Sequence, residues 1–100
     1  GAKYTHADHP ALASQLYASY ARAIQTRILA GVVGEEGLAE TDRKFLEFGR
    51  LFEQQLVHQQ AARTLDESME IGWKILRVLP ESELTRLSDA QVTRHMAGGS

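Results

Sequence analysis

A chain of 100 residues has room for one domain of ordinary size, and enough volume to bury a hydrophobic core without a metal or disulfide to staple it. Its 43% apolar and 24% charged content belongs to a folded protein and excludes the disordered and fibrous classes. The net charge is -2, with the bases scattered apart from the Arg43–Lys44 pair, so no basic stripe is available to neutralise successive phosphates and nucleic acid is excluded as a partner. Cysteine is absent, which removes disulfides, thiolate metal sites and a cysteine nucleophile. The apolar run at residues 28–33 is far short of the ~20 residues a membrane span requires, so no direct membrane insertion is expected. A basic segment followed by an apolar stretch, the mark of a signal peptide, does not open the chain. Gly1 in place of an initiator Met, and the closing Ala97-Gly98-Gly99-Ser100, fit a piece of a longer protein. The expected organisation is an extension at 1–7 from an upstream domain, a helical bundle at 8–96 and a disordered tail at 97–100.

In chain order, Asp8-His9-Pro10 reads as an N-cap followed by a proline in the first turn, where its missing N–H costs nothing. Leu12, Leu16, Tyr20, Ile24 and Ile28 then recur every four residues, with Ala13 and Tyr17 widening the face and Gln15, Arg22, Gln25 and Arg27 on other sides. This predicts a long helix over 8–33. Gly31, Gly34 and Gly37 end it, one of them in the left-handed C-cap conformation, and 34–40 form a loop. Thr41 is the expected cap of a second helix whose inward stripe is Phe45, Phe48, Phe52 and Leu56, ending near His58. Residues 59–63 either continue that helix or turn. Thr64-Leu65-Asp66-Glu67 forms a capping box that starts a third helix over 65–79.

In that third helix the charged residues Asp66, Glu67, Glu70, Lys74 and Arg77 fall within an arc of roughly 100°, leaving two thirds of the circumference apolar. A helix apolar over so much of its surface is covered on more than one side, which places it at the centre of the bundle. Pro80 stops it, and Ser88-Asp89-Ala90-Gln91 is a second capping box for a last short helix with Val92 and Met96 inward. No segment alternates with a period of two. The fold class is therefore all-α: a compact bundle of one long N-terminal helix, two medium helices and one or two short C-terminal ones.

The candidate chemistry is sparse. His6, Asp8 and His9 lie close in sequence, but a metal site needs three or four convergent ligands and these are at a chain end. His58 and His95 sit where a helix C-terminus favours a partly charged imidazole. The spaced glycines lack the strand before and the lysine after that a phosphate loop uses, so no cofactor is expected in this chain. Glu35, Glu36, Glu40 and Asp42 are four acids within eight residues with no base among them. They do not follow calcium-loop spacing, and read as an exposed acidic contact for a basic partner. Trp73 reads as a core aromatic at the edge of the charged arc, with its indole N–H near water. Gly49 and Gly72, inside helices, mark a close helix approach.

Several blocks in order carry a family resemblance: Asp8-His9, Gln15-Leu16-Tyr17-Ala18, Tyr20-Ala21, Val32-Val33-Gly34-Glu35-Glu36-Gly37-Leu38, Asp42-Arg43-Lys44-Phe45-Leu46-Glu47-Phe48 and Phe52-Glu53. Glu67-Ser68, Gly72-Trp73, Leu76 and Leu79-Pro80-Glu81-Ser82-Glu83-Leu84 extend it. Over about residues 8–92 the chain resembles the C-terminal helical domain of the non-catalytic B subunit of vacuolar and archaeal-type rotary ATPases. Gly37, where the family pattern has Ala, is a departure. The resemblance implies a domain without catalytic residues, in the soluble, cytoplasmic head of a complex that couples ATP hydrolysis or synthesis to proton or sodium movement. Its implied partners are the catalytic A subunit and the central rotor subunits, with ATP held at a subunit interface outside this chain. Glu35, Glu36, Leu38 and Glu40 are the rotor-contact residues it implies. The isolated chain is expected to be a monomer. A free-standing helical interaction module is the alternative, and it predicts an exposed apolar groove. A small helical enzyme would need Arg and Lys converging in the core, whereas Arg22 and Arg27 lie five apart and point in different directions.

Overall fold

The structure, a computed structural model, describes residues 6–58 and 63–96. A short 3-10 turn at His6–Asp8 leads into α1, His9–Val33; α2 is Glu40–Phe52, α3 is Leu65–Leu76 and α4 is Asp89–His95. Single 3-10 turns at Glu35–Gly37 and Glu81–Glu83 join α1 to α2 and precede α4. Among the described residues every regular element is helical, as the periodicities predict. The undecided stretch 59–62 and the tail 97–100 lie outside the described residues.

Helix α3 occupies the centre. Met69, Gly72, Trp73, Ile75 and Leu76 are all buried, and they join Leu12 of α1, Phe45 and Phe48 of α2, and Leu79, Leu84, Leu87 and Met96 in one core. Trp73 has 0% exposure, so it is the middle of the core and not its wet edge. The predicted capping box holds: Thr64 Oγ1 accepts from the Glu67 N–H at 3.0 Å, while Glu67 Oε1 accepts from the Thr64 N–H at 2.8 Å. The helix is shorter than its apolar pattern, because after Leu76 the chain tightens into turns of i to i+3 bonds, Val78 N–H to Ile75 O and Leu79 N–H to Leu76 O.

Two expected caps are absent. Asp8 is helical in φ and ψ and makes no side-chain cap bond, since its carboxylate turns inward. The N-cap of α2 is Ala39, so Thr41 lies inside the first turn. Gly34 ends α1 with φ 80° and ψ 154°, a positive-φ conformation that glycine reaches without steric cost, though an extended one and not the left-handed helical one expected. Beyond Phe52, α2 continues as a π-helical stretch, Glu53–His58. There the loosened carbonyl of Gln55 accepts from Arg63 Nη1 at 2.7 Å.

The main departure from sequence expectation is the rotation of α1. Its buried residues are Leu12, Gln15, Ser19, Ala23 and Thr26, while Tyr17, Ile24, Ile28 and Val32 are exposed. At about 100° per residue these two sets lie on opposite sides of the helix. The cause is a close crossing: a Cβ on Gly49 of α2 would lie 2.9 Å from the Ala23 Cβ, so only small side chains fit between the backbones. Gly72 of α3 marks a second close approach, where a Cβ would meet Leu16 Cδ1 at 3.0 Å. The two interior glycines thus serve separate crossings, both against α1.

Beside the first crossing, Arg27 donates to both carboxylate oxygens of Glu53, Nη1 to Oε2 and Nη2 to Oε1 at 2.7 Å each, and the Tyr20 hydroxyl also donates to Oε2. Tyr20 stacks on Phe52 with centroids 4.4 Å apart. The paired guanidinium, with the Tyr20 hydroxyl second, holds the Glu53 carboxyl down at about 2 from 4.5. The same carboxylate raises the pKa of Tyr20 above its ordinary value.

Two outcomes follow for stability. Gly49→Ala gains helix propensity worth about 1 kcal/mol, but overpacks the crossing at a cost of about 1–3 kcal/mol, so urea melts should show net destabilisation. Adding Ala23→Gly should restore part of the loss, and a stabilised Gly49→Ala variant would mean the helices can part freely. Because Glu53 has a depressed pKa when folded, its stabilisation is complete above about 4.5 and disappears as pH falls through about 2. Chemical melts at pH 6 and pH 2 should differ by roughly 1 to 3 kcal/mol more in the native chain than in Glu53→Gln, screening at this half-buried site keeping the figure modest.

Candidate functional site: the distal loop and the outer face of α1

At the far end of α1 the loop folds back on itself, Gly37 N–H donating to Gly34 O and Leu38 N–H to Glu35 O, both at 3.1 Å. A Cβ on Gly37 would press to 3.2 Å from Val33 Cγ2, so glycine lets the turn sit tightly against the helix end. Glu35, Glu36 and Glu40 are exposed, whereas Leu38 is buried at 6% exposure. Of the four residues expected to form a contact, the three acids present their side chains outward. Leu38 is turned in and supports the loop from beneath.

The loop is less negative than its sequence. Asp42 pairs with Arg22 at 3.3 Å and Glu40 with Lys44 at 3.7 Å. Arg43, reaching back from α2, donates Nε to the carbonyl of Glu35 and Nη2 to that of Glu36, each at 3.4 Å. Three bases therefore stand within the four-acid cluster, brought there by α1 and by the first turns of α2. These surface pairs are each worth about 0–1 kcal/mol, but together they reduce the field a partner meets.

Sequence reasoning overlooked the surface next to this loop. Tyr17, Ile28 and Val32 are 73%, 67% and 79% exposed, and Ile24, Leu29 and Val33 are also open to solvent. Helix α1 contains no acidic residue, and its two arginines are turned to intramolecular partners, Arg22 to Asp42 and Arg27 to Glu53. The outer face is thus a nearly uncharged apolar stripe running to the acidic turn. An exposed apolar face of this kind is a candidate contact surface. The signal was in the sequence, because α1 carries more apolar residues than one face can hold, but assigning Tyr17, Ile24 and Ile28 to the core concealed it.

The polar residues singled out near the termini serve the fold. His6 hydrogen-bonds Asp66 at 3.0 Å, while Asp8, at 5% exposure, binds Gln91, Arg94 and His95 of α4. His6 and Asp8 therefore engage separate partners. His95 is no exposed helix cap, since its ring is stacked on Trp73 with centroids 3.8 Å apart. Its hydrogen bond, with those from Gln91 and Arg94, holds the Asp8 carboxyl below the usual range despite burial. An apolar depression of about 110 Å³ between Leu12, Leu16, Leu56, Leu65 and Met69 is smaller than the ~300 Å³ of ordinary ligand pockets. No helix among the described residues is long and apolar enough to cross a membrane.

Comparison with known proteins identifies the family of the chain. Residues 1–96 match the family model described as the C-terminal domain of V and A type ATP synthase. The B subunit of the A-type ATP synthase of Saccharolobus islandicus is 47% identical over 93 residues, covering 91% of this chain and 20% of the relative. The V-type ATP synthase beta chain of Thermotoga neapolitana is 41% identical over 97 residues, 95% of this chain and 21% of the relative. The corresponding A-type B subunit of Methanopyrus kandleri is 47% identical over 93 residues, 91% of this chain and 9% of the relative. The chain thus spans about a fifth or less of these relatives. It belongs to the family of C-terminal domains of V- and A-type ATP synthases.

Proposed function

We propose that this domain is the helical end of a non-catalytic B-type subunit in a rotary ATP synthase, where it bears on the central rotor and packs beside the catalytic A subunit. The observation that carries the reading is the family match across residues 1–96, together with relatives named as B subunits of A-type ATP synthases. The chain contributes shape and contact to the coupling of ATP turnover with proton or sodium transport. It carries out no chemistry itself. ATP binds at a subunit interface formed by other parts of the complex, in a soluble head on the cytoplasmic side of the membrane.

Glu35, Glu36 and Glu40 are the proposed charged contacts with the rotor, and the outer stripe of α1 supplies the apolar area beside them. Because Arg43, Lys44 and Arg22 offset part of the acidic charge, the contact relies on apolar fit as well as attraction. An uncharged surface has no strong preference for one rotor angle, which suits a bearing. The exposed face of α1 also favours a second reading, a free-standing interaction module. A domain of that kind would hold its partner alone, outside any ring of subunits.

The test is reconstitution of the rotary complex with substituted subunits. Replacing Glu35, Glu36 and Glu40 together by Lys should weaken rotor association or torque, more at low salt than at high, with the melting temperature of the chain nearly unchanged. Ile28→Gln with Val32→Gln should weaken the contact to a similar extent at every salt concentration. Equal impairment by Ala and Lys at the three glutamates, or no effect of either at low salt, would remove charge from the mechanism.

A further inference from the structure

We propose that α4 is a releasable strap whose latch at the chain's beginning is the carboxylate of Asp8, so that displacement of the turn before α1 loosens the C-terminal helix and lets it lift from the indole of Trp73.

A helix of seven residues is far too short to persist alone in water, so α4 exists only while docked. Its docking combines apolar burial with polar bonds. His95 is buried at 1% exposure and Met96, next after the helix, at 8%, while Val92 is half-buried against the core. Three side chains of α4 converge on Asp8: Gln91 Nε2 donates to Oδ1 at 3.1 Å, and Arg94 Nη1 and His95 Nε2 lie 2.8 and 2.9 Å from Oδ2. Gln91 is used twice, because its Oε1 also accepts from the Ser88 N–H at 2.9 Å and so closes the capping box that starts α4. The grip on Asp8 and the helix's own first turn therefore share a side chain. From the other side Arg77, just beyond α3, donates Nε and Nη2 to the carbonyl of His95 at 3.1 and 2.8 Å.

Such a hold differs from apolar packing in its sensitivity to position. A hydrophobic face tolerates sliding, but hydrogen bonds are lost when donor and acceptor separate by about an ångström or tilt strongly. Asp8 sits in the three-residue 3-10 turn His6–Asp8, where the main chain passes into α1. The group that anchors the end of the domain is thus carried by its beginning. A pull on that turn is transmitted to α4 while the α1–α3 packing stays in place. Once α4 leaves, the face of Trp73 now covered by the His95 ring is uncovered.

Hydrogen exchange on the full chain tests this, with Asp8→Asn as the variant, since Asn keeps the shape but loses the charge that two donors share. Amides of 91–96 should exchange at least about ten-fold faster and Trp73 emission should shift to the red, with the protection of α1, α2 and α3 retained. Unchanged exchange in α4, or faster exchange everywhere at once, would overturn the strap. Should the variant fail to fold, the native chain in sub-denaturing urea answers the same question: α4 must open in a separate step, at lower urea than the remainder. Amides of α4 that join the global unfolding curve would likewise overturn the proposal.

Discussion

The approach of α1 to α2 at Ala23 and Gly49 is the constraint on which the rest of the molecule depends. With backbones so close that a Cβ on Gly49 would sit 2.9 Å from the Ala23 Cβ, α1 must turn its small residues inward. Ser19, Ala23 and Thr26 are buried in consequence, and the large residues of the distal half go outward. The crossing also brings Tyr20 and Arg27 to Glu53, whose bonds bracket the contact. At the proximal end the second approach, Gly72 against Leu16 and Leu12, seats α3 under α1. Helix α1 acts as a spine, with one end sealed in the core and the other carrying a loop and an uncovered stripe.

Polar groups hold what the apolar core does not reach. Gln15, at 2% exposure, accepts from the Arg86 N–H at 2.7 Å and donates to Ser19 Oγ at 2.9 Å. Asp8 binds α4, and Arg77 binds the carbonyl of His95. Buried polar groups of this kind contribute little net stability but specify geometry, because breaking any one of them leaves a desolvated partner. The C-terminal third, built of short turns and a seven-residue helix, gets its position from these bonds as well as from Leu79, Leu84 and Leu87.

At the distal loop the placement of charge matters more than its amount. The acids of the distal loop were expected to act as an unopposed negative tip, and the fold brings Arg22, Arg43 and Lys44 among them. What remains outward is three exposed glutamates, one of them paired with Lys44, at the end of a long uncharged face. That combination offers area for contact with limited electrostatic grip.

Local chemistry was enough to read the element types from the sequence. The capping boxes at Thr64 and Ser88, the glycine at 34 and the phenylalanine stripe of α2 each report on bonds or contacts made within a few residues, so the sequence by itself determined the helices and most of their order. The central position of α3 was also legible, since an arc of charge leaves only one place for so apolar a helix. The rotation of α1 was not, because an apolar residue at helical spacing looks the same whether it faces a core or a partner. Only the steric match between Gly49 and Ala23 chose the buried side. Asp8, Gln15 and His95 were misread for the same reason: each has bonds with residues 68 to 87 positions away, and only the packing of the helices brings such partners together.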